Sequence, residues 1–159
     1  MVDESRWPQY GKYGLDVKGI TIHNTGTQDS AEELFEYLNN DCKYSTGCHF
    51  LVDKEKVIQV MPLNWSVYHT GKGEDVAFKK TIAIEICNSL DDFETYLIAQ
   101  NRAIKLIKKL LKKYNLTTKD IYFHNDFNNK FYCPHRILQV YKTKQTFIKE
   151  AFNGYTDIN

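Results

Sequence analysis

The sequence has few cysteines, almost no net charge and no long apolar run. Its four cysteines, at positions 42, 48, 87 and 133 of 159 residues, are too few and too scattered for the disulfide scaffold of a small secreted domain. Lysine plus arginine number 21 against 20 for aspartate plus glutamate, so the net charge of +1 creates no long-range field to attract a polyphosphate. We therefore expect no nucleic-acid partner.

The absence of a long apolar run also bears on membranes. No segment approaches the length of a membrane span, and the N-terminus lacks the basic start and apolar stretch of a secretory signal peptide. We expect synthesis in the cytoplasm and no membrane partner. With 42% hydrophobic and 14% aromatic residues, the chain has the size and composition of one globular domain, which we expect to be a monomer.

Alternating strand and helix patterns predict an α/β fold, a single domain with a mixed central β-sheet flanked by helices. We expect an irregular N-terminal arm at 1–18, the main domain at 19–153, and a tail or the start of a linker at 154–159. The predicted elements are strands at 19–24, 81–87 and 120–124, a hairpin of 49–53 with 56–60, and helices after Ser30, at about 97–114 and at 143–152.

Two of the predicted strands end in histidines, His23 and His124, where a sheet usually presents working groups in loops. A single histidine of this kind is more often a hydrogen-bonded structural residue than a metal ligand. However, Cys133 follows His124 within one loop, and imidazole and thiolate both suit zinc. The three side chains together predict a zinc site with a fourth position open for water, as in catalytic zinc centres.

Glu85 lies in the middle of a predicted strand, between Ile84 and Ile86 and on the opposite face from them. Burying a carboxylate there costs free energy unless it is paired or used in chemistry. One interpretation is a buried partner for a lysine. The favoured interpretation is a general base.

Five short segments, considered together, resemble a known family. In chain order they are Ile22–Thr25, Cys48–Asp53, Tyr68–Gly71, Ile84–Asn88 and Tyr132–Leu138. Their order resembles that of the zinc-dependent N-acetylmuramoyl-L-alanine amidases of the type-2 class. These are the catalytic domains of many phage endolysins and bacterial autolysins and are related to peptidoglycan recognition proteins. The resemblance covers about residues 18–140.

The resemblance implies a zinc site at one edge of a substrate groove, held by the three ligands predicted above. It assigns the catalytic carboxylate to Glu85, stabilisation of the oxyanion to Lys130, and a place beside the bound muropeptide to His69. Trp65 and Tyr68 are predicted to line the groove, the alternative being that they cover the hairpin. Arg136 is predicted to pair with a carboxylate of the stem peptide or of the fold itself.

The sequence departs from the family pattern at three positions. The family usually has a lysine two residues before the third ligand, whereas Lys130 lies three residues before Cys133. Some relatives have a tyrosine proposed to act in catalysis where this chain has Cys48, which places more of the chemistry on Glu85. Relatives often have Trp-His where this chain has Tyr68 followed by histidine.

The expected function is hydrolysis of the amide bond between N-acetylmuramic acid and L-alanine in peptidoglycan. Zinc would activate water, with Glu85 as the general base. Such an enzyme acts on the bacterial cell wall, and holin-type release is one route by which it would reach it. Two alternatives remain open: a non-catalytic peptidoglycan-binding module, and a zinc peptidase that cuts within the stem peptide.

Overall fold

The computed structural model describes residues 1–155, so the predicted tail at 154–159 lies mostly outside the described part. The strands are β1 (Gly11–Tyr13), β2 (Gly19–Asn24), β3 (Phe50–Val52), β4 (Val57–Gln59), β5 (Trp65–Val67), β6 (Thr81–Ile86) and β7 (Ile121–Phe123). The α-helices are α1 (Trp7–Tyr10), α2 (Ala31–Glu36), α3 (Val76–Lys80), α4 (Phe93–Tyr114), α5 (His124–Phe127), α6 (His135–Tyr141) and α7 (Lys144–Ala151). Shorter helical turns cover Glu4–Arg6, Tyr37–Asp41 and Thr118–Asp120.

Five strands form a mixed central sheet in the order β4-β3-β6-β2-β7. Neighbouring pairs among β3, β6, β2 and β7 are parallel, and only the edge strand β4 runs antiparallel to its neighbour. This arrangement confirms the predicted α/β class and the predicted hairpin. Within residues 1–155, no helix combines the length and the apolar character that crossing a bilayer requires.

The central strand β6 is buried on both faces, as parallel strands usually are. Ile82, Ile84 and Ile86 belong to a core cluster that includes the apolar residues of α4. Ala83 and Cys87 belong to a second cluster on the other face of the sheet. The side chains of this strand therefore alternate between the two faces of the sheet as predicted, and Glu85 lies on the face away from α4.

The longest helix, α4, begins four residues earlier than the pattern at 97–114 predicts. Asp92 caps its first turn by accepting a hydrogen bond from the Thr95 N–H at 3.0 Å. Asn115 ends it in the left-handed conformation, with φ of 52°. A single capping residue therefore extends the helix beyond the range set by its apolar period.

The prediction of an irregular arm is wrong for residues 4–13, which form two helical turns and β1. Tyr10 is fully buried, and its hydroxyl donates to the Leu38 carbonyl at 2.5 Å. Gly11 pairs with Val67 of β5 so closely that a Cβ atom would lie 1.8 Å from the Ser66 oxygen. This segment is ordered by long-range strand pairing and by a buried aromatic ring. Neither of these leaves a periodic pattern in the local sequence.

Two isoleucines on α4 allow a matched test of the core. Ile107 is fully buried, whereas Ile98 is 51% exposed. We expect Ile107→Ala to lower the free energy of unfolding by about 2–5 kcal/mol, because it leaves a cavity under the sheet. Ile98→Ala should change it by less than about 0.5 kcal/mol. Denaturant titration measures both, and equal losses would contradict this assignment of the core.

Candidate metal centre and its catalytic carboxylate

Three neighbouring parallel strands bring the candidate residues to one edge of the sheet. His23 is the fifth residue of β2, and in the β2–β6 register its direct partner is Glu85. On the other side of β2, Ile22 pairs with Phe123, the last residue of β7, and His124 follows immediately. The carboxyl ends of parallel strands are where α/β sheets commonly bind ligands.

The structure brings all three predicted metal ligands together. One potential ligand atom from each of His23, His124 and Cys133 lies within 4.8 Å of the others. The two Nδ1 atoms are 3.2 Å apart, and Cys133 Sγ is 3.9 Å from His23 Nδ1. Two imidazole nitrogens and one sulfur form a donor set that suits zinc.

The loop that carries Cys133 is fixed on both sides by hydrogen bonds. The Asn125 N–H donates to the Cys133 carbonyl at 3.1 Å. Just beyond the loop, the Arg136 N–H donates to Asn24 Oδ1 at 2.9 Å, which ties the start of α6 to the end of β2. These bonds hold the thiol over the end of β2 across a separation of 110 residues in the chain.

A backbone carbonyl orients the second histidine. His124 Nε2 lies 3.2 Å from the Thr70 carbonyl oxygen, which also accepts from Asn128 Nδ2 at 2.8 Å. Because a carbonyl can only accept, Nε2 carries the proton in the neutral ring. The unprotonated Nδ1 of His124 therefore faces the cluster, as a metal ligand requires.

Burial favours the uncharged forms of the three predicted ligands. It lowers the pKa of His23 well below the usual value, and the nearby His69 and His124 lower it further. Burial also lowers the pKa of His124, although the Thr70 carbonyl opposes this effect. It raises the pKa of the Cys133 thiol to about 12, with Glu85 adding to the rise. A cation bound at the cluster would supply positive charge and so stabilise the thiolate form of Cys133.

Within residues 1–155, Glu85 has no cationic side chain of lysine or arginine paired with it. Its Oε1 lies 3.9 Å from His23 Nδ1, and its buried Oε2 has no hydrogen-bond partner among residues 1–155. The side chain is 23% exposed and lines a hollow of about 160 Å³ with Cys48 and Leu51. Burial raises the pKa of Glu85 to about 8. No lysine in the described chain pairs with it, so the geometry favours the general-base interpretation.

Of the predicted site residues outside the cluster, Lys130 lies at the surface and Tyr68 is half-buried. Lys130 is exposed, and its ammonium has no hydrogen-bond or ion-pair partner within the described residues. Tyr68 stacks on Phe78 with ring centroids 4.5 Å apart and lines a hollow of about 540 Å³. Thr46 lines both this hollow and the one at Glu85, so the two adjoin. Their roles in binding and catalysis stay predictions.

Trp65 lies in β5, in the small second sheet. Its ring packs edge-on against Trp7 at 5.4 Å and Tyr13 at 6.4 Å. Its carbonyl accepts from Nε2 of the fully buried His49, whose Nδ1 accepts from the Ala83 N–H at 2.9 Å. These contacts pack Trp65 against two aromatic rings and give His49 a structural role. Groove lining by Trp65 stays a prediction.

Arg136 is largely engaged by the fold. Its guanidinium lies 5.9 Å from the Phe93 ring centroid and 5.7 Å from that of Tyr96, and it donates to the Asp91 carbonyl at 3.1 Å. Its Nε is buried without a partner in the described residues. Pairing of Arg136 with a stem-peptide carboxylate stays a prediction.

Several contacts that shape the site are not evident in the sequence. Phe131 stacks on the His124 ring at 4.9 Å and covers one face of this ligand. Asn24, directly after His23, anchors the third-ligand loop. His69 is only 5% exposed, and its Nδ1 lies 3.0 Å from His23 Nε2. An aromatic residue or an asparagine within two positions of a predicted ligand, as Phe131 and Asn24 are, is the signal that could have indicated the first two.

Comparison with known proteins identifies the family. Residues 13–136 match the family model described as N-acetylmuramoyl-L-alanine amidase. The amidase CwlA of Bacillus subtilis strain 168 is 40% identical over 134 residues, covering 80% of this chain and 48% of that protein. The amidase XlyB of the same strain is 34% identical over 157 residues, covering 97% and 49%. The chain thus spans about half the length of these relatives.

Solved structures agree with this result. The structure of PlyL has a TM-score of 0.85 at 27% identity, covering 93% of this chain and 92% of that one. The solution structure of the PlyG catalytic domain has a TM-score of 0.86 at 28% identity, covering 100% and 94%. The predicted family resemblance and fold are confirmed: the chain belongs to the N-acetylmuramoyl-L-alanine amidase family.

Proposed function

We propose that this chain is a zinc-dependent hydrolase that cuts the amide bond between N-acetylmuramic acid and L-alanine in bacterial peptidoglycan. The observation that carries the proposal is the position of Glu85. One oxygen of this carboxylate has no hydrogen-bond partner in the described part of the chain, and it lies beside a cluster of two histidines and a cysteine at the edge of a surface hollow. A module that only binds peptidoglycan has no need for this combination. The relatives named as amidases support the same reaction.

His23, His124 and Cys133 would hold the metal. The nitrogen and sulfur donors fit zinc, and three protein ligands leave the fourth tetrahedral position open. When bound, zinc supplies a Lewis acid that activates water and polarises a carbonyl group. The protein's contribution is to fix the ligands from two strand ends and one anchored loop.

Glu85 would move the proton that the reaction requires. Its side chain enters the hollow from the strand next to the ligand His23. As general base it accepts a proton from the attacking water, and as general acid it returns a proton to the leaving nitrogen of L-alanine. In the metal-free protein burial raises the pKa of Glu85 to about 8, and a cation at the cluster would lower this pKa toward the range in which the group can both accept and return a proton near neutral pH.

The two adjoining hollows would hold the substrate on either side of the scissile bond. Tyr68 supplies an aromatic wall to the larger one, and Thr46 lies where the two meet. Lys130 has an exposed ammonium without an ion-pair partner in the described chain, which leaves it available to stabilise the oxyanion. Trp65 and Arg136 would act at the margins of this groove. The bacterial cell wall is thus the proposed place of action, with holin-type release as one route to it.

Digestion of purified peptidoglycan tests the reaction. We expect the wild type to release stem peptides that begin at L-alanine, identified by mass spectrometry. Glu85→Gln should lower the rate at least about a hundredfold, because the general base is lost. Glu55→Gln, on an exposed turn, serves as the matched control and should digest normally. New termini within the stem peptide would instead indicate a peptidase, and binding to an uncut wall would indicate a recognition module.

Metal analysis tests the ligand set. We expect about one zinc per wild-type chain and full loss of digestion after chelation, with recovery on adding zinc. Cys133→Ala should weaken zinc binding by more than about a hundredfold, because it removes the only sulfur ligand. Cys42→Ala, a buried cysteine outside the cluster, is the control and should bind normally. Equal zinc affinity in both variants would refute the assignment.

The raised pKa of Glu85 makes a separate prediction about stability. In the unfolded chain this carboxyl ionises near pH 4.5, but in the folded metal-free protein it ionises near pH 8. The unfolded state therefore releases its proton first as pH rises, and the free energy of unfolding falls between these values. Glu85→Gln removes that loss. Above pH 8 it should stabilise chelator-treated protein by several kcal/mol, at most about 5, with no effect well below pH 4.5.

Denaturant titration across pH 4 to 9 measures this difference. Glu55→Gln again serves as the control, because that side chain is exposed. If the stability curves of wild type and Glu85→Gln run parallel over the whole range, the carboxylate is not destabilised by burial.

A further inference from the structure

Behind the ligand His23 lies a chain of buried hydrogen bonds that leads away from the cluster. His23 Nε2 is 3.0 Å from His69 Nδ1, and His69 Nε2 is 3.3 Å from Thr81 Oγ1. Thr81 Oγ1 is in turn 2.8 Å from both Thr21 Oγ1 and the Ala77 carbonyl. His69 is 5% exposed, and both threonines are less exposed still.

The Ala77 carbonyl at the far end of these hydrogen bonds determines which atom donates in each of the others. The Ala77 carbonyl can only accept, so the Thr81 hydroxyl donates to it and must accept from its other neighbours. Thr21 donates to Thr81 and occupies one lone pair. His69 Nε2 then donates to the other. In the neutral ring of His69, Nδ1 is consequently the acceptor.

An accepting Nδ1 on His69 requires a proton on Nε2 of His23. That assignment leaves Nδ1 of His23 unprotonated, and this is the atom that lies 3.2 Å from His124 Nδ1 and 3.9 Å from Cys133 Sγ. The opposite tautomer would place a proton on His23 Nδ1, bonded to His124 Nδ1. That one proton would lie between the two Nδ1 atoms and make the lone pairs of neither available to a metal.

We propose that His69, held by Thr81 and Thr21, fixes the tautomer of His23 and so keeps the lone pair of its Nδ1 available to the metal. The inference rests on the proposed metal centre and gives His69 a role other than contact with a muropeptide. Its side chain acts through His23, so it is a positioning residue. Outer partners of metal-bound histidines commonly have this function in zinc sites.

Two pairs of variants test the proposal through zinc affinity, measured by competition with a chromophoric chelator. His69→Phe keeps an aromatic ring but removes the acceptor, and we expect a ten- to hundredfold weaker affinity. His69→Asn places a carbonyl oxygen near the position of Nδ1 and should restore most of the loss. Thr81→Val removes the acceptor for His69 and should weaken binding in the same direction, whereas Thr81→Ser should not.

The tautomer itself is read from long-range ¹H–¹⁵N spectra of metal-free protein labelled with ¹⁵N-histidine. We expect His23 in the wild type to carry its proton on Nε2, and His69→Phe to shift a substantial population to the Nδ1 form. Circular dichroism and thermal unfolding establish that each variant is folded. This reading requires no activity and no bound metal.

The outcomes separate the two proposals. Weaker zinc binding in His69→Phe with rescue in His69→Asn supports the positioning role, even if the wild type does not cut peptidoglycan. A folded His69→Phe that binds zinc within twofold of the wild type overturns it, even if digestion is normal in the wild type. A proton on Nδ1 of His23 in the wild type also overturns it. If the wild type binds no zinc, the spectra alone decide.

Discussion

The register between β2 and β6 is the constraint on which the rest of the site depends. It places His23 directly beside Glu85, while Ile22 and Ile84 turn to the opposite face and pack with α4. A slip of one residue in either strand would move an isoleucine to the site and a polar side chain into the core. The hydrophobic packing on one face of the sheet therefore fixes the spacing of His23 and Glu85 on the other.

Much of this arrangement follows from local patterns in the sequence. Two of these patterns are regular periods: the alternation around Glu85 and the spacing of apolar residues in α4. The capping box at Ser30 is a short motif that is equally visible in the sequence. The pairing of β1 with β5 is not, because Tyr13 meets Trp65 across 52 positions and neither strand has more than three residues. Elements this short depend on tertiary contacts and have too few residues to show a period.

The features of the site likewise divide into those that the sequence predicts and those that it does not. Residue type and strand position were enough to predict that His23, His124 and Cys133 lie together, because few side chains bind zinc and strand ends present them. They were not enough to indicate what lies behind the ligands. His69 has no feature in the sequence that distinguishes a ring facing a groove from a ring buried against His23, since that depends on how β5 and α3 pack. Which atom donates in a hydrogen bond depends on its neighbours in the folded structure, and the sequence does not show these neighbours.

The three ligands also come from distant parts of the chain, and this has a consequence for folding as well as for chemistry. His23 and His124 are 101 residues apart, and Cys133 is 110 residues from His23. An ion held by all three would act as a reversible cross-link that closes a loop of most of the chain, and such closures restrict the unfolded state most when the loop is long. The proposed metal centre would thus also fasten the second strand of the fold to its last, making resistance to unfolding a function of metal supply.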